Sequence, residues 1–188
     1  MTVYQIYSCD FQNFIVEDKE LIMDSVRANS NGMLAFRGGS KADMWIPPAV
    51  RIYNPLAKRG SFFGFTSTTF AVSAECWEKA GMFLEMAGEV LPLPYKGEQY
   101  GVFNCTKCIN CLDGEKSEWK QLAELRMVRR PAFKPDLMSE STIFKIPEQL
   151  SMTYCYEDTK DTESEFKAFV ESEGLEGIKF VKIWSDEE

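Results

Sequence analysis

The stretch Gly88–Trp119, GEVLPLPYKGEQYGVFNCTKCINCLDGEKSEW, decides how the rest of the chain is read. It opens on an apolar run, Val90 to Leu93, interrupted by Pro92 and followed by Pro94, and turns at Lys96-Gly97. Tyr100 to Phe103 follows, rich in the aromatic and β-branched residues that suit a pleated, half-buried surface. Then come Cys105, Cys108 and Cys111, and the stretch closes on a turn-prone, acidic Asp113-Gly114-Glu115. Two expectations compete for the cysteines. The C-x-x-C spacing is what a zinc knuckle uses to bring two thiolates to one ion. A structural zinc needs four ligands, however, and the chain has no histidine, so the fourth would be Cys9, Cys76, Cys155 or a carboxylate such as Asp113. An iron–sulfur loop would need a further cysteine followed by proline, which this run lacks. If the run is a strand, Cys105 and Cys111 share one face and Cys108 takes the other, a geometry that cannot chelate. Free cysteine packs as a small hydrophobe, so the expectation is core cysteines, with a zinc or redox module as the alternative.

Working outward, the chain has 188 residues, enough for one well-cored domain. Its 45% hydrophobic content is that of a folded protein. The formal charge of −8 argues against direct binding to nucleic acid by phosphate neutralisation and favours a basic partner. The opening residues lack the basic start and apolar run of a signal peptide, and no run has the length of a membrane span, so a cytoplasmic location with reduced thiols is expected.

Val3, Tyr4, Ile6 and Tyr7 predict an opening strand; Asn29 to Gly32 forms a break, and Met33 to Phe36 a short apolar run. Trp45 to Tyr53 predicts a strand entered through Pro47 and Pro48, suited to an edge. After the apolar, threonine-rich Phe62 to Phe70, Ser73 is the expected N-cap of a helix running to Gly88, with Ala74, Trp77, Ala80 and Gly81 as its buried stripe. Beyond Trp119 a strand-like stretch reaches Val128, Pro131 and Pro135 mark a loop, and Ser141 to Ile146 predicts a strand stopped by Pro147. Met152, Tyr154 and Tyr156 alternate as in a strand. Ser164 then caps a predicted helix carrying Phe166, Phe169 and Val170, ended by Gly174 and Gly177 before a closing strand through Ile178, Phe180, Ile183 and Trp184. A helix delivered through glycine into an apolar strand thus occurs twice. The expected fold is a single α+β domain, residues 1–188, with a mixed or antiparallel sheet, a few packed helices and two similar helix-to-strand units.

The train W45IPPAVRIYNP, F70AVSAECWEKAG, G88EVLPLPY, N104C…C111LDGEKSEW and F166KAFVESEGLEGIKFVKIW resembles a family of bacterial immunity proteins. It is the eleventh numbered immunity family of polymorphic toxin systems, formerly a domain of unknown function. The resemblance spans about residues 40–184, by the order and spacing of these blocks. It implies a cytoplasmic protein that binds and neutralises a cognate toxin encoded nearby, with no catalysis and no cofactor of its own.

The residues agree with such a role. There is no histidine for general base work and no phosphate-binding or dinucleotide fingerprint. A neutraliser needs aromatic anchors and complementary charge. The candidates for a partner-binding face are Glu98, Asp113, Glu115 and Glu118, with Trp45 and Trp119 as anchors. A further alternative is an ADP-ribosyltransferase-like enzyme, because Phe36-Arg37-Gly38 and Phe65-Thr66-Ser67-Thr68-Thr69-Phe70 are similar to the strands that hold nicotinamide dinucleotide in that class. Its late glutamate motif would be Glu171-Ser172-Glu173, which falls inside a predicted helix, where residues two apart diverge.

Overall fold

The computed structural model describes residues 1–25, 32–138 and 141–187, without the side chains of Leu122 and Leu125. Of the break expected at Asn29 to Gly32, only Gly32 lies among the described residues.

Residues 88–105 form a hairpin. Strand β6 (Gly88–Tyr95) pairs antiparallel with β7 (Glu98–Cys105) across Lys96 and Gly97, both at positive φ, +50° and +82°. Two successive positive φ values give a turn whose twist matches that of the flanking strands. Upstream, β4 (Phe62–Thr66) and β5 (Thr69–Ser73) form a second hairpin, and β5 pairs with β7, giving the order β4-β5-β7-β6. Every pairing in this sheet is antiparallel.

A second four-stranded sheet joins the two ends of the chain. Its strands are β1 (Thr2–Ser8), β10 (Ile143–Phe144), β11 (Tyr154–Glu157) and β12 (Ile178–Ser185), in the order β10-β11-β1-β12, again antiparallel. Two smaller pairs complete the β-structure: β2 (Phe14–Val16) with β3 (Val50–Ile52), and β8 (Glu118–Leu122) with β9 (Leu125–Arg130). The helices are α1 (Lys19–Ser25), α2 (Ala74–Ala87) and α3 (Phe166–Ser172). The architecture is α+β, with two helix-to-strand units, α2 into β6 and α3 into β12, each delivering an edge strand.

Both large sheets are apolar on both faces, and strand alternation sorts their side chains into separate clusters. Phe62, Phe70, Val72, Phe103 and Cys105 turn to the central cluster, which they share with Ile6, Ile143, Cys155, Ile178 and the buried faces of α2 and α3. The alternate residues Phe63, Phe65, Ala71, Tyr100 and Val102 face a second cluster, covered by Phe14, Val16, Leu34 and Phe36. Val3, Phe144, Tyr154 and Trp184, on the far face of the other sheet, pack with Cys111, Leu112, Val128 and Phe133. The two small strand pairs, through Phe14, Val16 and Val128, and segments without regular structure therefore supply the outer covers. Met33 to Phe36 is such a cover and forms no strand, although Leu34, Ala35 and Phe36 are buried.

Ser73 caps α2 as expected, its side chain accepting the Cys76 amide. The buried stripe differs: it runs Cys76, Ala80, Gly81, Phe83, Leu84 and Ala87, with Ala74 exposed and Trp77 partly covered. The helix has turned to place Phe83 and Leu84 in the central cluster, the larger apolar payload. At α3 the N-cap is Glu165 and not Ser164, whose hydroxyl donates to Asp161. The Glu165 carboxylate is buried and accepts the backbone amides of Asp158, Thr159 and Lys160, so it orders the acidic loop instead of capping the helix. The expected strand at Trp45 to Tyr53 shortens to β3, because Trp45 is drawn off to pack on Phe36 and Phe65. The stretch after Trp119 turns back on itself at Ala123, φ +52°, and becomes the β8–β9 hairpin. Of Ser141 to Ile146 only Ile143 and Phe144 pair as a strand, and Pro147 opens a short 3-10 turn.

Candidate binding surface

The three clustered cysteines have separate fates. Cys105 ends β7 in the central cluster, and burial pushes its thiol up to about 12. Cys111 is buried beneath the other sheet, where burial raises it to about 11. Cys108 is exposed and makes a backbone bridge to Lys145. Two buried and one exposed agrees with core cysteines at Cys105 and Cys111, but the strand that would set those two on one face does not form: β7 stops at Cys105, the chain crosses to the other sheet, and the two thiols lie in different clusters. Metals take the thiolate form, and burial opposes it at Cys105 and Cys111. Among the described residues no group of three cysteine, aspartate or glutamate side chains is arranged to hold a metal ion.

The six candidate contact residues separate into two groups held by different sheets. Trp45 is half-buried, with its indole donating to the Pro92 carbonyl at 2.8 Å; it locks the 42–46 segment to β6. Glu98, at the start of β7, is exposed, ion-paired with Arg59 and accepting the Tyr100 hydroxyl at 2.9 Å. The Arg59 guanidinium, with the Tyr100 hydroxyl, holds the Glu98 carboxyl below the usual glutamate range. The other four stand at the base of the β8–β9 hairpin. Asp113 accepts the amides of Glu115 (3.1 Å) and Lys116 (3.2 Å), folding its own turn. Glu118 meets Arg130 across the hairpin at 3.2 Å, and Glu115 is exposed. Trp119 donates to the Gly114 carbonyl at 2.9 Å while the Arg126 guanidinium lies over its ring at 4.1 Å from the centroid.

Asp113 and Glu118 thus spend their charge locally. The hairpin itself carries Lys120, Arg126, Arg129 and Arg130 against Glu118 and Glu124, a cationic element on an acidic chain. Charge composition alone could not place that sign, because neighbours in space decide it.

The structure brings together part of the transferase-like pattern. Arg37 lines one cavity with Thr66, Ser67 and Thr68, the turn between β4 and β5. The glutamates are elsewhere: Glu171 pairs with Lys167 at 2.8 Å and Glu173 with Lys79 at 3.5 Å, and neither lines that cavity.

Sequence reasoning passed over a polar clasp at the edge of the first sheet. Glu89 accepts the Lys41 amide, the Asn104 side-chain amide (2.7 Å) and the Ser40 hydroxyl (2.8 Å), while Asn104 also donates to Gly39 O at 2.9 Å. Asn104 is fully buried, and its Oδ1 is the one buried side-chain oxygen among the described residues without a partner. A Glu and an Asn fifteen residues apart carry no sequence signal; the β6–β7 register, which sets Glu89 opposite Asn104, creates the site. Burial would raise the Glu89 carboxyl, but the donors of Asn104, Lys41, Ser40 and Ala42 outweigh it and the group is net depressed. A carboxylate depressed in the fold stabilises above its unfolded pKa and loses that contribution as pH falls through the folded value. Glu89→Gln is therefore expected to cost about 1–3 kcal/mol at neutral pH, with the deficit shrinking as the pH falls below about 4.5. Urea unfolding from pH 3 to pH 7 checks this, and a pH-independent deficit would refute it.

No family model and no curated protein matches the chain. Among the described residues no helix is long and apolar enough to cross a membrane.

Proposed function

We propose that this chain is an immunity-type protein of the bacterial cytoplasm that binds a cognate toxin, encoded nearby, and neutralises it by occlusion without catalysis of its own. The observation that carries this reading is the preorganised anchor at the hairpin base. Trp119 is fixed from two sides, by Gly114 O and by Arg126, and stands beside exposed Glu115 and Glu118. A held aromatic side chain with a charged rim is the composition of a binding hot spot, because its rotamer entropy is spent before the partner arrives. The block order over about residues 40–184 and the net charge of −8 support the same reading, the latter by steering a basic partner.

The test is a pull-down of the tagged chain from its native cells at moderate salt, read by mass spectrometry, together with co-expression against the neighbouring toxin gene. One stoichiometric partner carrying a toxin domain, and protection of the cells, is the expected result. Trp119→Ala is expected to weaken the complex about 30-fold or more, the penalty of removing a hot-spot aromatic. Recovery of no partner from cells that express the neighbouring genes would overturn the proposal.

A further inference from the structure

α2 buries one side and leaves the other unpartnered. Glu78, Met82, Glu85 and Met86 point outward, with Met82 58% and Met86 49% exposed, one turn apart. Trp77 leans along the same surface, its Nε1 donating to Glu85 Oε1 at 3.3 Å, two turns further on. Position 81 permits this: a Cβ on Gly81 would stand 3.3 Å from the indole Cδ1. Glycine weakens a helix interior relative to alanine, so its presence here trades helix stability for surface shape. The surface there is a shallow depression lined by Ala74, Trp77, Glu78, Gly81, Met82 and Glu85, the two glutamates standing on the same helical stripe as Ala74 and Gly81, between Trp77 and Met82.

The charge of this face is uncompensated. The only cation on α2, Lys79, is held by Glu75 at 3.3 Å and by Glu173 of the segment after α3 at 3.5 Å. Among the described residues, the ion pairs leave Glu78 and Glu85 without a cation.

We propose that this face docks a basic, amphipathic helical segment of the partner protein. Lysine or arginine heads would reach Glu78 and Glu85, their stems lying over Met82 and Trp77. Methionine is the side chain that repacks most readily against an unfamiliar apolar surface, and a Trp face favours a cation laid over it. The recognition mode is a helix laid in a groove, read by apolar anchors one turn apart. Among the described residues a second copy of this chain supplies no such helix, because α1 and α3 each carry carboxylates alongside their lysine and α2 is itself acidic. The proposal rests on the binding-protein reading for its partner, though the surface is testable without it.

The experiment uses the full chain labelled with 13C at its nine methionine methyls, titrated with a designed amphipathic helical peptide of leucine, lysine and arginine. The Met82 and Met86 methyls are expected to shift first, with Met127, on the cationic hairpin, as an internal reference. Glu78→Lys with Glu85→Lys is expected to weaken the peptide about ten-fold or more, and Glu124→Lys with Glu163→Lys, the same change in net charge, by no more than about two-fold. Equal weakening by both pairs, shifts at Met127 in place of Met82 and Met86, or self-association of the chain through those methyls would each overturn the proposal. Methyl shifts at α2 together with an empty pull-down would sink the toxin reading and leave the docking surface standing.

Discussion

Gly177→Ala is expected to cost about 4 kcal/mol or more, a large part of the total stability of a domain this size. Gly177 has φ +114°, outside the left-handed well that other residues visit, and a Cβ there would collide with the Phe62 carbonyl and sit 2.8 Å from its carbon. Those are backbone atoms of β4 in the middle of the core, so no flexible side-chain tip can swing aside. The junction is also where the two large sheets are tied: the Cys9 amide donates to Gly177 O, and the amides of Ser61 and Phe62 both donate to Glu176 O. A shift that relieved the clash would break these bonds. Gly174→Ala is the control. Its φ is +62° and its Cβ would meet open space, so only the backbone penalty applies, about 1 kcal/mol. Urea midpoints of the two variants decide the matter, and equal losses would show that the β4 contact relaxes freely.

What the sequence exposed was mostly what is set within about one element's length. The Lys96-Gly97 turn, the Ser73 cap and the helix-to-strand delivery at both β6 and β12 depend on neighbours a few residues away. They were readable for that reason. The division into two sheets was not, since β1 pairs with β11 and β12 from the far end of the chain, and period-two alternation names no partner. The turn at Ala123 escaped because a positive φ at alanine has no residue-type signature. At α3 the Ser164 cap failed for a different reason: Glu165 finds three amides of the preceding loop, an arrangement visible only once that loop has folded back.

The candidate surface divides along the same line. Trp119 and its acidic neighbours were legible as a cluster because the turn that gathers them is local. The sign of the charge around them was not, since Arg130 and Arg126 arrive across the hairpin. The expected α2 stripe holds at Ala80 and Gly81, which are buried, and fails at Ala74, which is exposed, and at Trp77, which is half-covered. Ala74 and Trp77 instead join Met82 on the outward face, whose exposed methionines carry no sequence signal of their own.

Lys145→Ala is expected to cost about 3–5 kcal/mol, because it removes the donor that gathers a turn inside the protein. Lys145 is 1% exposed, and its ammonium donates to Leu150 O at 2.9 Å, Met152 O at 3.2 Å and Thr153 Oγ1 at 3.2 Å. Its backbone meanwhile pairs with Lys107 O and Ile109 N, joining the cysteine segment to the second sheet. Those acceptors are neutral, so burial dominates and lowers the pKa of the amine, with the nearby Cys105 and Cys108 opposing more weakly. The unfolded chain then keeps this proton up to its ordinary value near 10.5 while the folded chain releases it earlier. Between those two values the unfolded state binds more protons, and raising the pH favours the fold. Buried thiols such as Cys105, raised to about 12, act in the opposite sense above their unfolded pKa, and because the Lys145 charge holds Cys105 down, losing the lysine strengthens that opposing effect in the variant. The difference between wild type and Lys145→Met, which keeps the volume and removes the titration, therefore contains the lysine and its hold on the neighbouring thiols, two contributions of the same sign. That difference should move in favour of the wild type as the pH rises towards 10.5, and at neutral pH the Met variant should lose less than the Ala variant, since no charge need be buried. A difference that stays flat across the alkaline range would mean that the ammonium keeps its proton in the fold as firmly as in water, with its three acceptors fully offsetting burial.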